Sequence, residues 1–198
     1  YYNLEHNYML IDNKKFETMW YDDKLECVQI IDQTKLPFEL IITKLNNLED
    51  VIIAIKEMKV RGAPLIGATA AFGVYLAFRE LKNKDQMLLA IEKVKQTRPT
   101  AVNLFWAVER IVSKIDFSYA NKEIEYILLK EALKICEEDK DCCKKIGENG
   151  LEIIKNISNE KKKLNILTHC NAGWLATIDW GTATAPIYYA RDNNIDLH

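Results

Sequence analysis

The sequence predicts a mixed chain in which a small β-sheet precedes a bundle of helices, and a βα unit of the doubly wound type follows. Three observations carry this. Alternating and apolar runs crowd the first forty residues. A helical period then takes over from Asn46 to about Lys155. A short apolar run, Leu164–Thr168, finally leads through a glycine-bounded loop into one more helix. The 198 residues suffice for one large domain, or one domain with part of another, and 48% hydrophobic residues are enough for a packed core.

Phe16, Thr18 and Trp20 alternate, Asp22-Asp23 offers a turn, and Cys27–Ile31 resumes an apolar run, so two short strands are expected. Asp32-Gln33 and Pro37 then leave the sheet. Leu48, Val51, Ile52, Ile55 and Met58 follow helical spacing, with Asn46 or Asn47 as cap and Glu49-Asp50 in the first turn. Pro64 suits the first turn of a second helix, because the N–H it lacks has no partner there in any case. That helix carries the longest apolar stretch, Leu65–Phe78, rich in small residues and too short to span a bilayer. It is expected to be central and buried.

A third helix is expected over about Asp85–Gln96, and a fourth from Pro99 with Val102, Phe105, Trp106 and Val112. Asn121 to about Lys155 reads as one long helix with Ile124, Ile127, Leu128 and Ile135 as its stripe, and with candidate breaks at Gly147 and Gly150. Glu160-Lys161-Lys162-Lys163 reads as solvated surface. Leu164–Thr168 reads as a buried strand, and Gly173 and Gly181 bound a loop. A helix from about Thr182 tolerates Pro186 near its start, and Ile195–Leu197 begins another strand. The chain starts at Tyr1 and stops at His198, before a sheet of this kind is complete, so the expectation is a longer polypeptide.

Composition excludes several classes of function. A net charge of −2 argues against broad nucleic-acid or acidic-membrane binding. Five cysteines, an odd number in a chain of this size, argue against a secreted disulfide framework. With no signal peptide visible, the chain reads as cytoplasmic. Adjacent Cys142-Cys143 has no paired CxxC and no histidine set for zinc, and reads as helix packing. There is no GxxxxGK[ST] and no strand-linked GxGxxG, so nucleotide binding has no support.

Two segments break a local rule. In Val60-Arg61-Gly62-Ala63-Pro64 and Thr97-Arg98-Pro99-Thr100 an arginine stands just ahead of an expected helix start. A cation there opposes the helix dipole unless an anion shares the site. A guanidinium offers paired donors to phosphate, the helix start adds backbone N–H groups, and Gly62 lets a ligand approach closely. The competing reading is a pair of salt bridges between elements.

Cys170 lies just past the expected strand, where βα proteins place ligands. Positive charge from the helix after Gly181, or from Arg61 or Arg98, would favour its thiolate. The competing reading is a small core residue. His169 precedes it, and neighbours on an extended segment face opposite ways, so a His169–Cys170 dyad is not expected. Trp106, Trp174 and Trp180 read as core or pocket wall.

Val60–Gly67, Arg98–Ala107 and Ile166–Gly173, followed by Gly181-Thr182 and preceded by Asp32-Gln33 with Pro37, together resemble the S-methyl-5-thioribose-1-phosphate isomerase family. The resemblance covers nearly all of the chain. It implies an α+β N-terminal domain (small antiparallel sheet plus helical bundle) over residues 1–160, then the start of a Rossmann-like α/β domain over 161–198. It also implies an aldose–ketose isomerase of methionine salvage that uses no metal or organic cofactor and works as a homodimer on a sugar phosphate. Substrate binding falls to Arg61, Gly62, Ala63 and Arg98, and catalysis to Cys170, whose expected role is proton transfer or electrostatic support. The sugar's anionic group is expected between the two arginine turns, within reach of the Cys170 sulfur.

The family's catalytic aspartate lies later than His198, and Asp179 does not match its motif. Two rivals stay open. One is an isomerase of 5-deoxyribose 1-phosphate or ribose 1,5-bisphosphate. The other is a non-catalytic sugar-phosphate-binding protein related to the regulatory subunits of translation initiation factor 2B.

Overall fold

The computed structural model describes residues 10–11, 14–81, 84–158 and 164–198. The run Glu160–Lys163 and the expected domain boundary after residue 160 lie outside the described residues. Two compact units divide the chain: Met19–Glu137 is one, and Tyr1–Thr18 with Glu138–His198 is the other.

The first of these units holds a three-stranded antiparallel sheet of β3 (Met19–Asp22), β4 (Cys27–Ile31) and β5 (Ile42–Leu45) in that order. Two-residue strands β1 (Leu10–Ile11) and β2 (Lys14–Lys15) pair separately in the other unit. The Asp22 carboxylate accepts the Lys24 and Leu25 N–H groups at 3.0 and 3.1 Å, which sets the expected turn between β3 and β4. Phe16 and Thr18 do not extend β3. Thr18 N–H donates to the Ile178 carbonyl at 2.9 Å instead, so its backbone is committed elsewhere. Strand β5 was not anticipated. It completes the sheet by pairing with β4 from Val28–Leu45 to Ile31–Ile42.

Helix α1 (Leu48–Lys56) starts at Asn47, whose side chain accepts the Asp50 N–H, with Glu49 and Asp50 in the first turn. Helix α2 (Ala63–Leu81) buries every residue from Leu65 to Phe78. Gly73 lets it lie against Val51 of α1 and Val94 of α3 (Lys84–Lys95), since a Cβ there would sit 2.9 Å from a Val51 methyl. Met19, Ile30, Ile55, Leu65, Phe72, Leu76, Leu104 and Ile111 form the fully buried interior of this unit. No described helix is long and apolar enough to cross a membrane.

Helix α4 (Val102–Val112) begins later than expected. Pro99 lies in a turn closed by Ala101 N–H on the Arg98 carbonyl at 3.0 Å, and Ala101 is the N-cap. Helix α5 (Asn121–Ser158) is unbroken at both glycines. The reason is packing rather than flexibility. A Cβ on Gly147 would sit 2.5 Å from the Tyr189 ring, and one on Gly150 would overlap Pro186, so both glycines admit helix α6 (Ala185–Asp192).

The run after residue 163 departs most from expectation. Only Leu164 pairs, in a parallel bridge with Leu197, supported by His198 N–H on the Leu164 carbonyl at 2.8 Å and Ile166 N–H on the His198 carbonyl at 2.7 Å. Leu164 is buried with Leu151, Ile154 and Ala190, but Leu167 is 96% exposed and Thr168–Asn171 are exposed too. A strand hidden on both faces needs a layer on each, and the described neighbours cover only its first residues. The last helix starts at Ala185 rather than Thr182, with Pro186 in its first turn as expected.

Candidate functional site

The two arginine turns share one unit. Gly67 lies in the first turns of α2 and Asn103 in the first turn of α4, and a Cβ on Gly67 would sit 2.9 Å from the Asn103 carbonyl oxygen. The absent side chain lets the first turns of α2 and α4 touch, and Arg61 and Arg98 each stand a few residues ahead of one of them.

Both helix starts are unusually bare. Neither α2 nor α4 has an acidic residue in its first turn, and Ala101 makes no side-chain cap. Helix α1 of the same unit carries both an Asn47 cap and two acidic residues. Unsatisfied N–H groups beside cations attract an anion.

Among the described residues neither arginine is in a salt bridge. Arg61 Nε donates to the Met58 carbonyl at 3.3 Å and one Nη to the Gln33 carbonyl at 3.2 Å. These are neutral partners, and they leave donors of the five-donor guanidinium over. Arg98 is half-buried, and among the described residues its guanidinium has no hydrogen-bond or ion-pair partner. The salt-bridge reading therefore fails for both within the described residues.

Gln33 holds the Arg61 turn a second time, its N–H donating to the Lys59 carbonyl at 3.0 Å. Buried Asp32 fixes that loop by accepting Thr34 N–H at 2.9 Å and Thr34 Oγ1 at 2.6 Å. Gly62 adopts φ +97°, a left-handed backbone natural to glycine, and exposed Ala63 opens the helix.

Cys170 belongs to the other unit. Its thiol is exposed, against the expectation of a strand end in a buried run, and its φ is +72°. A left-handed residue other than glycine costs about 1 kcal/mol or more. Met58 and Asn194 also have positive φ, but they close helices, where that conformation is common. Cys170 and Trp180, with φ +68°, sit at no helix end. His169 is exposed and makes no hydrogen bond among the described residues.

The Cys170 turn rests on the buried segment Ala176–Gly181, which follows a 3-10 turn over Trp174–Ala176. Thr182 N–H donates to the Ala172 carbonyl at 3.0 Å. Gly181, at φ +76°, lies so close to Gly173 that a Cβ would sit 2.7 Å from the Gly173 Cα. Thr177 Oγ1 accepts the Gly181 N–H at 3.0 Å and faces the Trp174 and Asp179 carbonyls at 3.1 and 2.9 Å. Asp179 is buried and accepts Trp180 N–H at 2.9 Å, a structural use of that carboxyl.

Asp139 of α5 accepts the Ile178 N–H at 2.7 Å. Burial pushes its carboxyl up to about 6, against the opposing pull of that N–H and of Lys140. Burial also pushes the Cys143 thiol up to about 12, with Asp139 adding to the shift, so this thiol is inert at neutral pH. Asp139 was missed at sequence level. The signal was present: it stands four residues before Cys143 and four after Ile135, on the apolar stripe of a helix where a carboxylate is out of place.

The family model matching this chain is that of the Initiation factor 2 subunit family, over residues 59–198, a span that includes both arginine turns and the cysteine turn. The methylthioribose-1-phosphate isomerase of Methylorubrum extorquens is 44% identical over 191 residues, which are 96% of this chain and 52% of that protein. The solved structure of 5-methylthioribose 1-phosphate isomerase from Pyrococcus horikoshii OT3 superposes with a TM-score of 0.80 at 38% identity, covering 93% of this chain and 52% of that one. Subunit delta of translation initiation factor eIF-2B from A. fulgidus superposes at 0.77 with 35% identity, covering 93% and 53%. The chain spans about half the length of the curated relatives it matches.

Proposed function

The chain belongs to the Initiation factor 2 subunit family, and we propose that its gene product converts S-methyl-5-thio-α-D-ribose 1-phosphate to S-methyl-5-thio-D-ribulose 1-phosphate. The observation that carries this reading is the pair of arginine turns ahead of touching helix starts that lack a first-turn acid, with no carboxylate on either guanidinium among the described residues. In this reading Arg61 and Arg98 take the phosphate by paired charged hydrogen bonds, joined by the N–H groups of Gly62 and Ala63. The 44% identity to a protein named methylthioribose-1-phosphate isomerase supports the choice of sugar.

Substrate and product are isomers, so the reaction balances without an external oxidant or reductant. The bond from C1 to the ring oxygen breaks, hydrogen passes from C2 to C1, and the C2 hydroxyl becomes a ketone while the C1 phosphate ester stays. The ring oxygen needs a proton as it leaves, and the C2 hydroxyl must lose one. We assign Cys170 to proton transfer or to electrostatic support of that step. Its exposure and left-handed backbone suit a residue held for chemistry rather than packing. The reading also carries a Rossmann-like continuation of the 164–198 segment, which the parallel Leu164–Leu197 bridge across α6 supports. A homodimer rests on the family resemblance alone, and the cytoplasmic location stays part of this proposal.

The test is turnover of methylthioribose 1-phosphate, 5-deoxyribose 1-phosphate and ribose 1,5-bisphosphate by the full gene product. Activity on the first, lost in Cys170→Ala at unchanged melting temperature, is the expected result. Activity on the bisphosphate alone, or full activity in Cys170→Ala, overturns the assignment. The second reading, a sugar-phosphate-binding regulatory protein, draws on the likeness to eIF-2B subunit delta. It requires sugar-phosphate binding in calorimetry without turnover.

A further inference from the structure

We propose that Asp139 is a positioning residue for the cysteine turn, holding from helix α5 the buried segment on which that turn rests. The inference depends on the reading of Cys170 as the reacting group.

Among the described residues no hydrogen bond holds Cys170. Its side chain is exposed, its backbone is left-handed, and the residues from Thr168 to Asn171 are exposed. The turn is instead tied at Ala172, two residues on. The Ala172 carbonyl accepts Thr182 N–H at 3.0 Å and lies 3.4 Å from Thr184 Oγ1, which also reaches the Trp180 carbonyl at 3.1 Å. Gly181 packs on Gly173 too closely for any side chain. The position of Ala172 therefore follows the position of segment 177–182.

That segment is irregular and buried, so its backbone groups need partners from outside it. The Ile178 backbone is gripped on both sides. Its N–H donates to an Asp139 carboxyl oxygen at 2.7 Å, and its carbonyl accepts Thr18 N–H at 2.9 Å. Asp139 supplies the side-chain anchor of this residue from a long regular helix, beside the buried cluster of Cys143, Trp180 and Ala185. A carboxyl kept in such a place, where burial opposes its charge, breaks a local rule as functional sites do. The chain of support runs from Asp139 to Ile178, through Gly181 and Thr182, to Ala172 and so to Cys170.

Asp139→Ala and Asp139→Asn in the full gene product test this, each in a Cys142→Ser background so that Cys170 is the exposed cysteine that reacts. Three quantities are read: hydrogen exchange at the Ile178 amide, the rate of Cys170 alkylation by iodoacetamide, and kcat with KM for methylthioribose 1-phosphate. The alanine variant is expected to exchange Ile178 at least tenfold faster and to change the alkylation rate at least threefold. Its kcat should fall at least tenfold with KM within twofold. The asparagine variant, which still offers an acceptor oxygen, should recover kcat to within threefold of the parent.

Unchanged exchange and alkylation in Asp139→Ala overturn the proposal, as does an Asp139→Asn no better than alanine. Should the alanine variant fail to fold, Thr184→Val removes the hydroxyl between Ala172 and Trp180 and must give the same kcat and alkylation signature. A parent protein without isomerase activity defeats the reading of the reaction, while exchange and alkylation still decide the positioning role.

Discussion

Arg61 and Arg98 stand ahead of two regular helices, whereas Cys170 stands in an irregular stretch between Leu164 and Ala185 broken only by one 3-10 turn. The arginine turns are placed by helix packing, in which one glycine lets α2 meet α4. The cysteine turn is tied by the Thr182–Ala172 bond and the Gly173–Gly181 approach to a segment whose Ile178 is held by single hydrogen bonds from the distant Thr18 and Asp139. Binding groups on regular elements tolerate small losses, because many packed side chains share the task. A turn hung on few bonds does not, since each lost bond leaves a buried group unsatisfied. Mutations of equal size should therefore cost more around the cysteine than around the arginines.

The sharpest way to break that contrast is Gly181→Ala. The position needs φ +76°, and the added Cβ would lie 2.5 Å from Thr184 Oγ1 and 2.7 Å from the Gly173 Cα. Urea unfolding should register a loss of about 3 kcal/mol or more in the unit holding Cys170, and a loss under about 1 kcal/mol would deny the close approach any importance. Next in size is Arg98→Ala, which removes a charged pair of donors worth about 1.5 to 3 kcal/mol. Steady-state kinetics should show KM raised ten- to a hundredfold with kcat within threefold.

Gly67→Ala probes the arginine side by packing alone. Its Cβ would meet the Asn103 carbonyl at 2.9 Å and push the helix starts apart by a few tenths of an ångström. A stability loss of about 1 kcal/mol and a severalfold rise in KM are expected, smaller than the effect at Gly181.

A separate effect concerns pH. Burial raises the Asp139 carboxyl to about 6, so its neutral form fits the fold better than its charged form. Lys140 opposes this shift, while the Cys143 thiol beside it stays neutral. The resulting stability is fully present below the unfolded value, about 3.9, and is lost as pH rises through about 6. Asp139→Asn should flatten this window, which spans about 2 to 3 kcal/mol at most. Thermal melts from pH 4 to 8 read the difference in slope.

The same contrast explains what was legible in the sequence. Leu65–Phe78, the Asn47 cap and the Asp22 turn follow from period, capping and turn chemistry, which act within a few residues. Pro99 misled because a proline suits a turn as well as a first helical position, and here it precedes the helix in a turn closed on the Arg98 carbonyl. Gly147 and Gly150 looked like breaks, yet they admit Tyr189 and Pro186, some forty residues away. The bonds from Thr18 to the Trp174 carbonyl and from the Ile178 N–H to Asp139 span 156 and 39 residues, which no local pattern records. The arginines stood out in the sequence because a cation before a helix start is itself a local anomaly.

The central claim is a division of labour, with binding at Arg61 and Arg98 and chemistry at Cys170. It is tested most directly by kcat and KM for methylthioribose 1-phosphate in the full gene product and in its Arg98→Ala, Cys170→Ala and double variants. KM should rise only where Arg98 is lost and kcat should fall only where Cys170 is lost, by about 10²-fold or more, with the double variant showing both. Full kcat in Cys170→Ala, or unchanged KM in Arg98→Ala, would contradict it.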